Sequence, residues 1–169
     1  MRVGIQPAGS AAAAGGRRAS STLRTVGSTA PVSLAIASGV HRAYPHKTTD
    51  RAQFDRALEE TAAAGADDAV MLTAGGYVAE CAVWGLFWWE SGRLCAPPLD
   101  LGILPGVARA RLDELAGGLV ERRARPAELE GRSLFLANAA RGVIPVARLE
   151  GRPVPQDPGT ERLSGSFWP

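Results

Sequence analysis

Lysine is nearly absent from this sequence, and the one position that keeps it is the first candidate for chemistry. Of the 19 Lys and Arg residues, only Lys47 is a lysine. Arginine supplies positive charge but does not lose its proton, whereas a lysine amine can act as a nucleophile toward carbonyl compounds. Lys47 lies between His46 and Thr48 in a segment that predicts a loop, where reactive groups are often held. Two interpretations stay open: an amine for Schiff-base chemistry, or a surface lysine without a role.

The second candidate is Glu80, a single carboxylate within the otherwise apolar strand pattern of residues 77–82. A strand of this composition packs on at least one face, and a buried glutamate needs a partner. A protonated heteroaromatic nitrogen would serve, because a carboxylate beside it keeps the ring protonated and able to withdraw electrons. Strand alternation also permits the other interpretation, in which Glu80 faces solvent.

The third candidate is the Gly/Pro-containing segment 101–109, which runs directly into a predicted helix. The first amides of a helix have no partner within it, and with the helix dipole behind them they bind phosphate. We expect Val107 and Ala108 to offer these amides and Gly106 to let a ligand approach the backbone closely. An ordinary helix start with Pro and Gly before it is the alternative.

A further set of backbone amides is expected where a later strand ends in small residues. Asn138, Ala139 and Ala140 stand just before Arg141 and Gly142. Their short side chains leave the backbone accessible, so the segment could bind an anion as well. A plain turn explains the same pattern.

Composition excludes several other functions. With 169 residues, 46% hydrophobic and 21% charged, the chain has the composition of one globular domain. No apolar run is long enough to span a membrane and the N-terminus lacks the apolar region of a secretory signal, so we expect a soluble, cytoplasmic protein. Cys81 and Cys95 lack the clustering with histidine that a metal site needs. Residues 1–49 contain no Asp or Glu, but their arginines form no patch, so nucleic-acid binding and an organellar transit peptide are the weaker alternatives.

The elements that must position these candidates are strands with interleaved helices, which predicts an α+β fold. Residues 1–31 show no apolar period and are predicted to be disordered, whereas residues 32–169 are predicted to form the folded domain. A capping box formed by Asp50 and Gln53 predicts the start of the first helix, and Gly65 its end. The predicted strands are 32–40, 69–73, 77–82, 83–90, 93–96, 133–138 and 143–149, the second helix spans 106–123, and a Pro-rich tail follows. Turns at Gly75-Gly76 and Ser91-Gly92 predict two hairpins.

Taken together, these segments resemble the class IV aminotransferases, the pyridoxal-phosphate (PLP) enzymes of fold type IV. Residues 46–49 resemble the segment that carries the Schiff-base lysine of the family, and residues 78–81 the segment with its ring-nitrogen glutamate. Residues 102–109 are similar to the phosphate-binding turn, and residues 138–140 to a later loop that contacts phosphate and substrate carboxylate. The four segments occur in the order of the family, from about residue 32 to the end of the chain.

The resemblance implies a fold, a cofactor and roles for named residues. The fold is the large C-terminal lobe of the D-amino acid aminotransferase-like enzymes, a mixed sheet or pseudo-barrel with flanking helices. It implies PLP as cofactor, a small amino compound as substrate, a homodimer, and no metal, nucleic acid or membrane as partner. The implied site comprises Lys47 as the catalytic amine, Glu80 at the ring nitrogen, and Gly106, Val107, Ala108, Asn138, Ala139 and Ala140 around the phosphate and substrate.

Within the family, the sequence is most similar to the 4-amino-4-deoxychorismate lyases. The similarity lies in Glu80-Cys81, residues 86–88 and Asn138-Ala139. It implies elimination of pyruvate from aminodeoxychorismate to give 4-aminobenzoate for folate biosynthesis. The alternatives are a branched-chain or D-amino acid aminotransferase, and a non-catalytic remnant. Gly85 departs from the asparagine of many relatives, and no segment resembles the smaller N-terminal lobe, so we expect that lobe to be absent.

Overall fold

The computed structural model describes residues 30–44 and 46–168. The predicted disorder of residues 1–31 therefore falls almost entirely outside the described residues. Within the described part, α-helices and strands alternate irregularly, which confirms the α+β prediction. The elements are β1 (Val32–Val40), α1 (Ala52–Ala62), β2 (Asp68–Leu72), β3 (Val78–Cys81), β4 (Gly85–Glu90), β5 (Arg93–Ala96), α2 (Val107–Ala116), β6 (Leu119–Glu121), β7 (Leu134–Asn138), β8 (Gly142–Leu149), β9 (Arg152–Pro153) and α3 (Pro158–Ser166), with short 3-10 helices at Leu99–Leu101 and Pro126–Leu129.

The strands form one mixed sheet in the order β3-β2-β1-β8-β7-β4-β5-β6, and β9 pairs with β8. β1 runs parallel to both β2 and β8, and β5 runs parallel to β6, whereas the remaining pairs are antiparallel. β3 and β4 lie far apart in this order, although only residues 82–84 connect them. So short a connection requires the sheet to curl, because three residues span only about 10 Å. The result is a half-barrel, with β3 close to β4.

The side chains of β7 show why this strand is apolar along its whole length. Leu134 and Leu136 point into the inside of the half-barrel, where they pack with Trp88. Phe135 and Ala137 point to the opposite face, where they pack in a cluster that includes Leu112 of α2. Because successive side chains of a strand face opposite sides, a strand covered on both faces loses its alternation. β7 is such a strand, and it ends at Asn138.

The first helix starts differently from the prediction. α1 begins at Ala52, and Asp50 accepts the Ala52 amide at 3.2 Å instead of forming a capping box with Gln53. Gln53 is engaged elsewhere: its Oε1 accepts the amide of Arg42 at 2.8 Å, and its Nε2 donates to the Arg42 carbonyl at 3.0 Å. The capping-box prediction is therefore wrong. These two bonds instead tie the loop after β1 to α1.

Two other predicted boundaries are wrong for local reasons. The second helix does not continue to residue 123, because Gly117 and Gly118 adopt positive φ angles of 66° and 129° and end it at Ala116. The next residues form β6 beside β5. The Pro-rich tail contains α3, whose N-cap Asp157 accepts the Gly159 amide at 2.7 Å with Pro158 in the first turn. Both predicted hairpins are confirmed.

Candidate active site

All eight residues named from the sequence line one open cleft of about 690 Å³. They lie on four parts of the structure: the loop between β1 and α1, strand β3, the N-terminus of α2, and the end of β7 with the turn after it. The parallel pairing of β1 with β2, and the antiparallel pairing of β2 with β3, brings the first two together. The shared residues are Lys47, Glu80, Gly106, Val107, Ala108, Asn138, Ala139 and Ala140.

Glu80 is buried and held by two side chains that no sequence pattern had indicated. Its side chain is 9% exposed, and its Oε1 lies 2.8 Å from Nε2 of His41. The Tyr44 hydroxyl donates to the other oxygen, Oε2, at 3.1 Å. Burial, together with the charge of Glu80, raises the pKa of Tyr44 well above its ordinary value, so the hydroxyl keeps its proton and donates. The interpretation of Glu80 as a solvent-facing glutamate is thus wrong, because a buried carboxylate is found with partners.

Lys47 lies on an exposed part of the loop between β1 and α1, and it lines the cleft. Among the described residues, no carboxylate forms an ion pair with its amine. The loop around it is anchored on both sides: the Tyr44 amide donates to the Gly102 carbonyl at 3.1 Å, and Thr48 Oγ1 accepts the Asp50 amide at 3.0 Å. The amine is therefore accessible to a carbonyl compound in the cleft, and the loop that carries it is tied to another segment at Tyr44.

The N-terminus of α2 has no side-chain cap. Gly106 is the N-cap in extended conformation, without a side-chain cap, and α2 starts at Val107. For the amides of Val107 and Ala108, the described part of the chain provides no acceptor. A Cβ added to Gly106 would meet no protein atom within 4 Å. Gly106, Val107 and Ala108 all line the cleft, and a helix start with free amides can bind phosphate.

The segment before α2 is held in place by a close approach that requires glycine. Gly102 adopts a φ of 76°, and a Cβ there would overlap with the side chain of Ala43. The loop that carries Lys47 and the segment that leads to α2 therefore touch backbone to backbone. Because side chains disfavour positive φ and the contact has no space, residue 102 must be glycine. This contact holds the start of the loop against the segment that leads to α2.

In the turn after β7, the side chain of Asn138 already binds backbone amides. Asn138 Oδ1 accepts the amides of Ala140 at 3.0 Å and Arg141 at 2.8 Å. The Ala140 amide, which the sequence pattern offered to an anion, is thus already paired in this arrangement. Asn138 instead shapes the turn, and the Arg141 guanidinium lies 5.9 Å from the ring centre of Trp84 in the cleft wall.

A buried carboxylate supports the connection between β3 and β4. Asp68 is almost fully buried, and its oxygens accept the amides of Ala69 at 2.7 Å and Val83 at 3.3 Å. Arg51 donates to the carbonyl of Ala82 at 3.0 Å from the other side. Burial raises the pKa of Asp68 to about 6, although the backbone amides and Arg51 act in the opposite direction. Asp68 and Arg51 thus bind the backbone of the connection between β3 and β4 from two sides.

The walls of the cleft are mainly apolar, with Phe54, Trp84, Phe87, Ile103 and Leu104 among the residues that line it. Two arginines also line the cleft, and both are engaged with protein groups. Arg109 donates to the Pro97 carbonyl at 2.9 Å and pairs with Glu121 at 2.7 Å, and Arg51 binds Ala82 as described above. The arrangement therefore suits a ligand with an anionic end, a carbonyl group and an apolar part.

In the described residues, no group of three His, Cys, Asp or Glu side chains is arranged to hold a metal ion. Cys81 lines the cleft but is fully buried, and burial raises the pKa of its thiol. No helix in residues 30–44 and 46–168 has the length and apolar character to cross a membrane.

Comparisons with known proteins agree with this geometry. The model of the family described as amino-transferase class IV matches residues 27–149. A probable branched-chain-amino-acid aminotransferase of Thermotoga maritima is 36% identical over 110 residues, which are 60% of this chain and 40% of that protein. These relatives agree with the aminotransferase alternative better than with the lyase expected from the sequence.

Solved structures show the same fold. The branched-chain aminotransferase of Thermoproteus uzoniensis with norvaline superposes with a TM-score of 0.72 at 26% identity, over 83% of this chain and 51% of that one. The Escherichia coli branched-chain amino acid aminotransferase gives a TM-score of 0.76 at 23% identity, over 84% and 52%. The T.th. branched-chain amino acid aminotransferase complexed with N-(5'-phosphopyridoxyl)-L-glutamate gives 0.72 at 25% identity, over 81% and 50%.

The chain spans about half the length of these relatives. The family match covers well over half of the chain itself, and it includes β1 to β8. The chain belongs to the amino-transferase class IV family.

Proposed function

We propose that this chain binds PLP in the cleft and transfers amino groups between a branched-chain amino acid and a 2-keto acid. The observation that carries the proposal is the convergence of an accessible lysine, a buried glutamate and an uncapped helix start on one cleft. The relatives support it, because a probable branched-chain-amino-acid aminotransferase is 36% identical over the matched region.

The residues fit the three reactive parts of PLP. Its phosphate matches the amides of Val107 and Ala108, beside the open space at Gly106. Its ring nitrogen matches Glu80, the buried carboxylate of the cleft. Its aldehyde matches the amine of Lys47, which has no ion-pair partner in the described part of the chain. A cleft of about 690 Å³ is large enough for the cofactor together with a small amino acid.

When bound, PLP supplies a carbonyl carbon that condenses with amines and a ring that withdraws electrons. The protein then has two tasks. Glu80 holds a proton on the ring nitrogen, because a buried carboxylate stabilises a cation beside it. Lys47 Nζ would take the proton from the Cα of the amino acid and give it to the carbon that was the aldehyde of the cofactor, and the second half of the transfer would run the same proton movement in reverse. Lys47 and Glu80 line the same cleft, so both can contact the same bound cofactor.

The mainly apolar wall of the cleft supports a substrate with an aliphatic side chain. Arg51 and Arg109, which line the cleft, are bound to carbonyls and acids of the protein. The apolar side chains that remain suit a branched aliphatic group, whose burial contributes about 25 cal/mol per Å².

A labelling experiment tests the cofactor site. The sequence has one lysine, so a pyridoxyl group found on a lysine after incubation with PLP and reduction with borohydride must be on Lys47. We expect a single adduct in the wild type and none in Lys47→Arg, the matched control that keeps the charge but lacks a reactive amine. Equal labelling of both proteins, or none of the wild type, refutes the cofactor site.

An activity comparison then tests the reaction. The wild type is assayed for amino-group transfer from L-leucine to 2-oxoglutarate and for pyruvate release from aminodeoxychorismate. We expect transfer without pyruvate release. Pyruvate release without transfer would favour the lyase. A labelled protein with neither activity would indicate a cofactor-binding lobe without catalysis, and sedimentation of the same sample tests the expected homodimer.

A further inference from the structure

We propose that His41 is a positioning residue that holds Glu80 as a carboxylate directed at the ring nitrogen of the cofactor. The inference rests on the proposed function and adds a residue to it. His41 does not line the cleft, so it acts through Glu80 and not on the ligand itself.

The contact is buried and specific. The side chain of His41 has no exposed surface, and its Nε2 lies 2.8 Å from Glu80 Oε1. The backbone amide of His41 donates to the Leu72 carbonyl at 2.8 Å, which fixes the residue against the end of β2. The other ring nitrogen, Nδ1, is buried without a hydrogen-bond partner among the described residues. Glu80 is thus the polar group that orients this ring.

This environment favours one protonation state of His41. A doubly protonated ring would bury an N–H donor at Nδ1 without an acceptor, which is costly. A neutral ring with its proton on Nε2 donates to Glu80 and leaves only a lone pair at Nδ1. We therefore assign the neutral Nε2–H form to His41, with the negative charge on Glu80.

Glu80 can accept a third hydrogen bond in addition to those from His41 and Tyr44. His41 takes one lone pair on Oε1, and the Tyr44 hydroxyl takes one on Oε2. The carboxylate has further lone pairs, so it can still accept from the protonated ring nitrogen of a cofactor. With His41 neutral, the negative charge of Glu80 is balanced by the ring nitrogen of the ligand, and not by a cation of the protein. The bound ligand therefore neutralises the negative charge of Glu80.

The first test uses the protein without cofactor. The chain contains two histidines, His41 and His46, and His46 is exposed, so it serves as an internal reference. In protein labelled with ¹⁵N-histidine, we expect NMR spectra to show His41 protonated at Nε2 and unprotonated at Nδ1. The substitution Glu80→Gln should shift the His41 Nε2 signal and leave that of His46 unchanged. An unchanged His41 signal overturns the proposal.

The second test uses PLP labelled with ¹⁵N in its ring, whose chemical shift separates a protonated from an unprotonated nitrogen. We expect the protonated form in the wild type and in His41→Gln, whose side-chain amide can still donate to Glu80. In His41→Leu, which removes the donor, the ring nitrogen should lose its proton and PLP affinity should fall by at least about tenfold. A folded His41→Leu protein with a protonated ring nitrogen and wild-type affinity overturns the proposal.

The outcomes separate this inference from the proposed function. A wild type that forms no adduct at Lys47 refutes the cofactor site, whereas a wild type that binds PLP with a ring nitrogen insensitive to His41 refutes only the role of His41. Circular dichroism melting of each variant identifies a folding defect. If His41→Leu does not fold, the Glu80→Gln measurement on the cofactor-free protein decides.

Discussion

We expect the buried carboxylate of Asp68 to make the free energy of unfolding of this protein fall as pH rises. Most paired carboxylates stabilise a protein as pH rises, because they ionise more readily in the folded state. Burial instead raises the pKa of Asp68 from 3.8 to about 6. Its oxygens accept the amides of Ala69 and Val83, so Asp68→Asn keeps an acceptor for Ala69 while it removes the ionisable group.

The size of the expected change in the free energy of unfolding follows from the shift in the pKa of Asp68. Between pH 4 and pH 6 the folded state binds more protons at Asp68 than the unfolded state, so its contribution to stability is complete below about pH 4 and is lost as pH rises through 6. A shift of about two units corresponds to roughly 3 kcal/mol. The Asp68→Asn protein does not lose this contribution. Its free energy of unfolding, relative to the wild type, should therefore rise by up to roughly 3 kcal/mol from pH 4 to pH 7.

Urea unfolding at pH 4, 5, 6 and 7 measures this difference. The matched control is Asp113→Asn, which removes an exposed carboxylate that also accepts a backbone amide, that of Leu119 at 2.6 Å. We expect the pH-dependent gain in Asp68→Asn and not in the control. If the difference between Asp68→Asn and the wild type is constant from pH 4 to pH 7, burial does not raise the pKa of Asp68 and the reasoning is refuted.

Three further predictions concern the helix starts and the loop contact. Val107→Pro removes one amide at the first position of α2, where proline is tolerated, so PLP affinity should fall by about tenfold in a fluorescence titration while Val107→Ala binds normally. An unchanged affinity would exclude that amide from phosphate binding. Gly102→Ala should cost at least about 1 kcal/mol in urea unfolding, because it adds a side chain at positive φ against Ala43, and a neutral result would contradict the close approach. Asp157→Ala should cost about 1 kcal/mol, since it removes the N-cap of α3, and the loss should be absent in Asp157→Asn.

The local pattern of the sequence was sufficient for both hairpins and for most of the strands, but not for β6 and β9. Alternation of apolar side chains predicts strands such as β1. Ser91-Gly92 predicts a tight turn, and in the structure both residues adopt positive φ angles, 50° and 74°. The residue types of Lys47 and Glu80, together with the composition around them, were enough to select both as candidates, but not to decide whether Glu80 is buried. These features depend on neighbours in the chain, so they are readable from it.

Contacts between distant residues were decided only by the tertiary structure. His41 and Glu80 are 39 positions apart, and nothing in either segment specifies that they meet. The pairing of β1 with β2 and of β2 with β3 sets the distance between them, and it also turns the Lys47 loop toward the cleft. The pKa of Asp68 likewise follows from burial, which the sequence around it does not reveal. Side-chain type determined which chemistry is possible here. Strand pairing determined which groups share a site, because such pairing joins residues that are far apart in the chain.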